Sequence, residues 1–220
     1  MPSMIPMRRA GVAASLAAAA LLSAGCVTAP SQDMSAFRQA RPRSILVLPP
    51  INATTDIRAG YGFLSTVSWP LAESGYYVFP VTLVDQTFRE NGLHTAEEIH
   101  AAPLKKIREV FGADAVLYMK VTRYGASYQL VRSSLIARAE ATPVDGATGA
   151  TLWHGSAEAG QEGGISLNPV AGLLSGLLQQ IANSGDGNAR NAAVQASRDL
   201  LMSKPGGLLY GPYSPKYQSD

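Results

Sequence analysis

The chain has 220 residues, of which 46% are hydrophobic and 15% are charged. This balance is typical of a globular domain and excludes an intrinsically disordered chain. The 18 lysines and arginines face 16 acidic residues, so no basic excess indicates a nucleic-acid-binding protein.

The first 25 residues have the pattern of a secretory signal peptide. Arg8 and Arg9 form a basic start, and the uncharged run AGVAASLAAAALL follows over residues 10–22. A basic region, a short apolar region and a small-residue cleavage site in this order are typical of a cleaved signal. The apolar run is shorter than the about 20 residues that span a bilayer. We therefore expect residues 1–25 to be removed, which leaves a mature chain with no net charge.

Cys26 is the only cysteine of the chain. The residues SAGC that end at it resemble a bacterial lipobox, with Ser23 where such signals most often have leucine. The resemblance implies that Cys26 carries the lipid and becomes the mature N-terminus. An aspartate after the cysteine would resemble an inner-membrane retention signal, and Val27 in its place indicates sorting to the outer membrane. The alternative is an ordinary cleaved signal with an incidental cysteine. An oxidising periplasm also explains the lack of other cysteines, because spare thiols there form unwanted disulfides.

Residues 26–43 are predicted to form a lipidated, flexible tether. The segment after Cys26 is polar, contains two prolines and shows no hydrophobic period, which is typical of a linker. A flexible linker of this length has an r.m.s. reach of about 20–25 Å. Residues 44–220 are then predicted to form a single domain, because the hydrophobic pattern begins at Ser44.

The first half of the domain alternates strands with helices. The run SILVLPPIN at 44–52 is predicted to be a buried strand. A helix over 60–74 is predicted to end at Gly75 and to be kinked or restarted by Pro70. The elements predicted after it are a strand at 76–81, a helix at 82–92, and a helix at 95–112 that begins with a capping box of Thr95 and Glu98.

The second half is predicted to be a strand hairpin followed by one more strand. A strand at 113–125 precedes a partner over Tyr128–Thr142, in which Val131, Leu135, Ala137 and Ala139 alternate with Arg132, Ser134, Arg138 and Glu140. This alternation indicates one buried and one solvated face. With a further strand in TLWHGSAEA, the pattern predicts an α/β fold with a mixed, partly antiparallel sheet flanked by helices in a sandwich.

A leucine-rich helix is predicted over 166–183. Its apolar face consists of Leu173, Leu174, Leu177, Leu178 and Ile181. This face could pack on the sheet, form an oligomer or partner surface, or touch the membrane. A last helix at 188–202 precedes the tail GGLLYGPYSPKY, which could dock on the domain or stay free for binding.

The sequence contains no pattern of a catalytic, metal or cofactor site. It lacks the nucleophile elbow, the zinc-protease pair, the phosphate loop and the paired-cysteine pattern. The three histidines, His94, His100 and His154, lack the spacing of metal ligands, and we expect surface or capping roles for them. The adjacent Glu97 and Glu98 suit the positive end of a helix. These observations predict a protein without enzymatic activity, cofactor, metal or small-molecule substrate.

Five segments together resemble a known family. RSILVLPPIN, ESGYYVFPV, FGADAVLYMKV, TGATLW and the tail GLLYGPY are similar to small bacterial lipoproteins whose best-known member is a neisserial vaccine candidate. The order of the segments is also distantly similar to the curli-export channel lipoprotein, to lipoprotein activators of peptidoglycan synthases and to the amino-terminal domain of the Tol periplasmic protein. The resemblance implies an α/β sandwich, a periplasmic role in assembly, export or scaffolding, and no catalytic residues.

Together these features lead to one functional hypothesis and its alternatives. The first hypothesis is a lipid-anchored protein on the periplasmic side of the outer membrane that belongs to an envelope assembly, export or transport complex. Its partners would be other envelope lipoproteins or further copies of itself, and no nucleic acid. A regulator of a peptidoglycan synthase is the alternative, and an envelope hydrolase is a third possibility that the missing nucleophile and base oppose.

Overall fold

The fold is taken from a computed structural model that describes residues 33–129, 132–162, 186–204 and 206–220. The predicted signal peptide, Cys26 and the leucine-rich helix with Leu173, Leu174, Leu177, Leu178 and Ile181 lie outside these residues. The helices are α1 Ser35–Ala40, α2 Ala59–Glu73, α3 Val81–Glu90, α4 Ala96–Ala101, α5 Leu104–Phe111 and α6 Asp186–Met202. The strands are β1 Ser44–Val47, β2 Ile51–Asn52, β3 Tyr77–Val78, β4 Ala115–Gln129, β5 Arg132–Asp145 and β6 Gly155–Glu162.

The strands form one mixed sheet of six strands with the order β3-β1-β4-β5-β6, and β2 pairs with β4 beyond the end of β1. Strands β3, β1, β2 and β4 run parallel, whereas β5 and β6 are added by antiparallel pairing. Pro49 and Pro50 separate β1 from β2, because proline has no N–H to give to the ladder. The predicted α/β class with a mixed, partly antiparallel sheet is confirmed.

The two faces of the sheet are covered to different extents. Helices α1, α2 and α6 pack on one face, over 115–124 of β4 and 135–141 of β5, through a large apolar cluster that includes Leu117, Leu135 and Ala139. Helices α3, α4 and α5 pack on the other face through a smaller cluster that reaches only Val116 on β4, with Tyr118 at its margin. Beyond that margin the second face of β4, β5 and β6 is not covered by a described helix.

The prediction of a flexible tether over 26–43 is wrong for its last part. Ser35–Ala40 forms α1, and the buried Phe37 on it meets the ring of Tyr76 edge-on, with the centroids 6.3 Å apart. The helix ends at Arg41, whose left-handed backbone (φ 45°) lets its N–H donate to the Phe37 carbonyl oxygen over 3.0 Å. Because a six-residue helix is too short to form alone, these tertiary contacts must stabilise it.

Two prolines change the predicted helices in opposite ways. The helix predicted at 95–112 is divided into α4 and α5 at Ala102 and Pro103, because Ala102 is extended (ψ 139°) before the proline. Its predicted capping box is confirmed, with the Glu98 N–H donating to the Thr95 hydroxyl oxygen over 3.2 Å. By contrast, α2 continues through Pro70 instead of restarting there.

The uninterrupted helix at Pro70 has a partner on α6. Proline cannot donate to the carbonyl four residues earlier, so the carbonyl oxygen of Thr66 loses its helical hydrogen bond. The buried hydroxyl of Ser197 lies 3.3 Å from that oxygen and 3.0 Å from the Val194 carbonyl oxygen of its own helix. Its single proton is therefore shared between the two oxygens, and the α2–α6 contact offers the Thr66 oxygen only part of what the proline removes.

The C-terminal tail docks on the domain. The N–H of Gly211 donates to the Ser74 carbonyl oxygen over 2.7 Å, and the N–H of Tyr213 donates to the Gly75 carbonyl oxygen over 3.0 Å. Gly75 has φ +90°, and a Cβ there would lie 2.3 Å from the Ser214 nitrogen. The tail therefore needs glycine at this position, for its backbone conformation and for the close approach.

Candidate functional site

The residues of the family-like segments act as internal anchors. The carboxylate of Asp114, in FGAD, accepts hydrogen bonds from the backbone N–H groups of Arg43 and Ser44 over 2.9 and 3.0 Å, and so ties β1 to the start of β4. The side-chain oxygen of Asn52, in PPIN, accepts from the Thr54 N–H over 3.0 Å and orders the turn before α2. These side chains stabilise the fold, which gives the residues that make the segments recognisable a structural role.

Two further anchors hold the tail. The indole N–H of Trp153, in TGATLW, donates to the Gly206 carbonyl oxygen over 3.2 Å. The hydroxyl of Tyr76 donates to the Leu209 carbonyl oxygen over 2.6 Å, and burial raises the pKa of this phenol, with a smaller contribution from the charge of Asp220. Tyr76 therefore stays protonated and keeps donating throughout the physiological pH range.

The face of β4, β5 and β6 that no described helix covers, called the open face below, carries the charged side chains of the hairpin. Lys120 on β4 is paired in register with Glu140 on β5. A bulge between Val121 and Arg123 shifts the alternation by one residue, which brings Arg123 to the same face as Lys120.

The charge pairs on the open face are weak. Arg123 and Arg138 both approach Glu158 of β6, at 3.6 and 3.7 Å, and all three side chains are 40 to 58% exposed. Exposed pairs at such distances contribute less than about 1 kcal/mol to stability. These charges are therefore free to re-pair with charges on a partner.

A small cavity lies where the open face meets α4. It has a volume of about 120 Å³, and its lining consists of Ile51, His100, Tyr118, Met119, Lys120, Glu140, Thr142 and His154. The structure thus brings His100 and His154 to one place, although they are far apart in sequence. Strand register accounts for this, because Thr142 is paired with Tyr118 and lies next to His154.

His100 and His154 each have a hydrogen-bond contact with a neutral group. Nε2 of His100 lies 3.0 Å from the Pro49 carbonyl oxygen, and its ring meets Tyr118 at a right angle with the centroids 5.2 Å apart. Because a carbonyl only accepts, Nε2 must carry the proton. Burial lowers the pKa of His100, so the ring is neutral near pH 7. Nδ1 of His154 lies 2.9 Å from the Thr142 hydroxyl.

The cavity places the hydroxyl of Thr142 beside the imidazole of His154. A hydroxyl beside an imidazole could activate a nucleophile, but Thr142 lies on a strand of the sheet interior, whose N–H groups belong to the ladder. Such N–H groups cannot stabilise an oxyanion. Across the described ranges no group of three or more His, Cys, Asp or Glu side chains could hold a metal ion. The third histidine, His94, lies before α4, where its backbone N–H donates to Glu98 over 3.0 Å.

The structure does not describe two of the sites that the sequence predicts. Cys26 and the apolar face from Leu173 to Ile181 lie outside the described residues, so both stay predictions. The open face was visible in the sequence as an alternating pattern on β5, but the cavity was not, because only the strand register reveals which side chains meet.

None of the helices in the described part of the chain is both long and apolar enough to cross a membrane.

The mixed sheet, the helices on its faces and the docked tail define a small α/β domain whose recognisable residues are structural. The family model "Putative lipoprotein GNA1162-like" matches residues 32–213, and the chain belongs to this family. The predicted family resemblance is therefore confirmed.

Individual relatives agree with this assignment. The chain is 42% identical over 201 residues to "Putative lipoprotein NMB1124/NMB1162" of Neisseria meningitidis serogroup B, covering 90% of this chain and 93% of that protein. It is 44% identical to the crystal structure of Lipoprotein GNA1162 from Neisseria meningitidis, with a TM-score of 0.53, over 65% of this chain and 100% of that chain. A PelC dodecamer from Paraburkholderia phytofirmans is 14% identical with a TM-score of 0.44, over 78% of this chain and 90% of that chain. That last similarity is too low to bear on function.

Proposed function

We propose that this protein is a lipid-anchored, non-enzymatic component of an envelope assembly or export complex. Cys26 would carry the lipid and hold the protein on the periplasmic side of the outer membrane. The α/β domain would present the open face to a partner. Membership of a lipoprotein family supports the anchor, and the lipobox-like SAGC sequence supports Cys26 as its position.

The observation that carries the binding role is the uneven cover of the sheet. One face is buried along β4 and β5, whereas the helices on the other face stop near Tyr118. The part left open carries both signs of charge, in pairs that are long and exposed. Charges of this kind give specificity and association rate at a protein interface, because a partner of complementary pattern can replace the weak pairs.

A second surface is proposed from the sequence alone. The apolar face of Leu173, Leu174, Leu177, Leu178 and Ile181 would contact a partner or a second copy of the chain. A regulator of a peptidoglycan synthase, the alternative function, would use one surface on a monomer, whereas an assembly component would form an oligomer. The two functions therefore differ in oligomeric state and in the identity of the partner.

Photo-crosslinking in living cells tests the proposal. A photoreactive residue would be placed at Lys120 on the open face and, in a second strain, at Leu177. The matched control is a probe at Lys106 on α5, which is solvent-exposed but away from the open face and pairs with Glu109 at 2.8 Å. Capture of the same chain or of other outer-membrane lipoproteins from Lys120 or Leu177, but not from Lys106, would support the assembly role.

The other outcomes decide against the first hypothesis. Capture of a peptidoglycan synthase would establish the regulator instead. If both probes capture nothing while the protein is correctly localised, neither surface binds a partner and the proposed function is wrong.

A further inference from the structure

One end of the domain gathers both termini of the described chain. β1 and β4 begin there, β5 ends there, and α1 leads directly into β1. The tail reaches the same end, since the Lys204 ammonium pairs with the Asp220 carboxylate and Arg38 lies 3.5 Å from the main-chain oxygen of Asp220. This end is called the tether end below, because α1, the first described element, lies there.

Exposed tyrosines and arginines alternate on the tether end. Tyr77 and Tyr213 are 53% and 61% exposed. Arg43 lies between them: its guanidinium is 3.4 Å from the Tyr213 hydroxyl, and its carbonyl oxygen accepts from the Tyr77 N–H over 3.0 Å. Arg38 and Arg41, both exposed, extend this patch along α1. Side chains with an apolar body and a polar tip are the ones that suit a membrane–water boundary.

The acidic side chains of this end are mostly held by local hydrogen bonds. Asp33 accepts from the Ser35 N–H over 2.8 Å, Asp114 accepts from the N–H groups of Arg43 and Ser44, and Asp145 accepts from the Thr148 N–H over 2.7 Å. Asp220 is bound to Lys204. Glu109 pairs with Lys106 at 2.8 Å, and Glu73 is exposed at the end of α2. Arg41 and Arg43 are exposed and have no carboxylate partner among the contacts of the described residues. Arg38, by contrast, lies near Asp33, whose pKa it helps to lower, and near Asp220.

The length of chain before the domain limits how far the tether end can be from the lipid. If Cys26 is the anchor, as the proposed function has it, seven residue steps separate it from Asp33. A chain of that length spans at most about 25 Å even when fully extended. Gly125 lies near the opposite end of the domain, called the far end below. It is ten residues along β4 from Ala115, which is about 33 Å in a strand. The tether end is therefore the part of the domain held nearest the bilayer.

We infer that the patch of Arg38, Arg41, Arg43, Tyr77 and Tyr213 rests on the anionic phospholipid surface to which the lipid ties the domain. Contact at this patch orients the domain with the Gly125 end of β4 pointing away from the membrane. The open face is then presented along the side of the upright domain, accessible to a partner. The inference rests on the proposed lipid anchor but not on the identity of any partner.

Fluorescence quenching on vesicles tests this orientation. The lipidated full-length protein would be reconstituted into vesicles of phosphatidylethanolamine and phosphatidylglycerol that contain a headgroup-labelled nitroxide lipid. Because the native cysteine is lipid-modified, Gln39→Cys and Ile57→Cys each give a single labelling site. Gln39 is exposed on α1, whereas Ile57 is 90% exposed at the far end. The fluorophore at residue 39 should be quenched several-fold more strongly than the one at residue 57.

A charge variant and a matched control complete the test. Arg38→Gln, Arg41→Gln and Arg43→Gln together should abolish the difference between the two probes, as should phosphatidylcholine vesicles. Lys120→Gln, Arg123→Gln and Arg138→Gln remove the same charge from the open face and should leave the difference intact. Equal quenching at both sites, or a difference that survives the first triple variant, would overturn the inference. Failure of the protein to float with any vesicle would instead show that the lipid anchor is absent.

Discussion

Replacing Gly75 by alanine should release the C-terminal tail from the domain. Gly75 has φ +90°, and the Cβ of an alanine would lie 2.3 Å from the Ser214 nitrogen and 2.8 Å from its Cα. The atoms in the way belong mainly to the tail backbone, so no side-chain rotation can relieve the clash. The tail must move, which breaks its backbone hydrogen bonds to Ser74 and Gly75.

Two costs determine the size of the effect. An alanine in the left-handed region costs about 1–2 kcal/mol. The two broken hydrogen bonds, from Gly211 to Ser74 and from Tyr213 to Gly75, contribute about 0.5–1.5 kcal/mol each. The free energy of unfolding should therefore fall by about 2–5 kcal/mol.

Gly92→Ala is the matched control for this prediction. Gly92 has φ +81°, but nothing lies within 4 Å of a Cβ placed there, so this variant bears only the conformational cost. Urea unfolding of the two variants and the wild type should place Gly75→Ala about 1–3 kcal/mol below Gly92→Ala. Limited proteolysis should then cut the tail of Gly75→Ala alone. Equal destabilisation of the two variants would show that the tail is not docked at Gly75.

Three further predictions concern groups inside the domain. Tyr76→Phe removes the hydrogen bond to the Leu209 carbonyl oxygen and should lower the free energy of unfolding by about 1–2 kcal/mol, with no effect if the tail is not docked. Ser197→Ala removes a buried hydroxyl that lies within hydrogen-bond distance of both the Thr66 and the Val194 carbonyl oxygens, and it should lower the free energy of unfolding by a similar amount in a urea titration. A change near zero would mean that the Thr66 oxygen has another donor. Burial lowers the pKa of His100 from 6.5, so as the pH drops this residue binds a proton in the unfolded state before it does so in the folded state. The free energy of unfolding of the wild type should therefore fall as the pH drops below about 6.5. His100→Gln should lose less on acidification, and an unchanged pH dependence would contradict the assigned burial.

The elements with strong local signals could be predicted from the sequence. The hairpin was evident because Leu135, Ala137 and Ala139 alternate with charged residues, and all three are buried in the structure. The capping box at Thr95 and the helix ends at Gly92 and Gly112 were readable because each depends on residues within one turn. Local chemistry decides such features, so one sequence is enough.

The features that were missed depend on contacts between distant residues. The short α1 has a single buried residue, Phe37, within its six, so its sequence shows no period, and only the packing against Tyr76 reveals it. The continuation of α2 through Pro70 leaves the Thr66 carbonyl oxygen facing Ser197, a residue on another helix. The cavity with His100 and His154 exists only because β5 pairs with β4 in one particular register.

The lipid on Cys26 is the premise of both proposals, and the mass of the mature N-terminus tests it most directly. The protein would be purified from outer membranes with detergent, and its N-terminal peptide would be analysed by mass spectrometry. The account predicts a chain that begins at Cys26 and carries a diacylglyceryl group on the sulfur. A mature chain that begins elsewhere, or an unmodified thiol at Cys26, would contradict it.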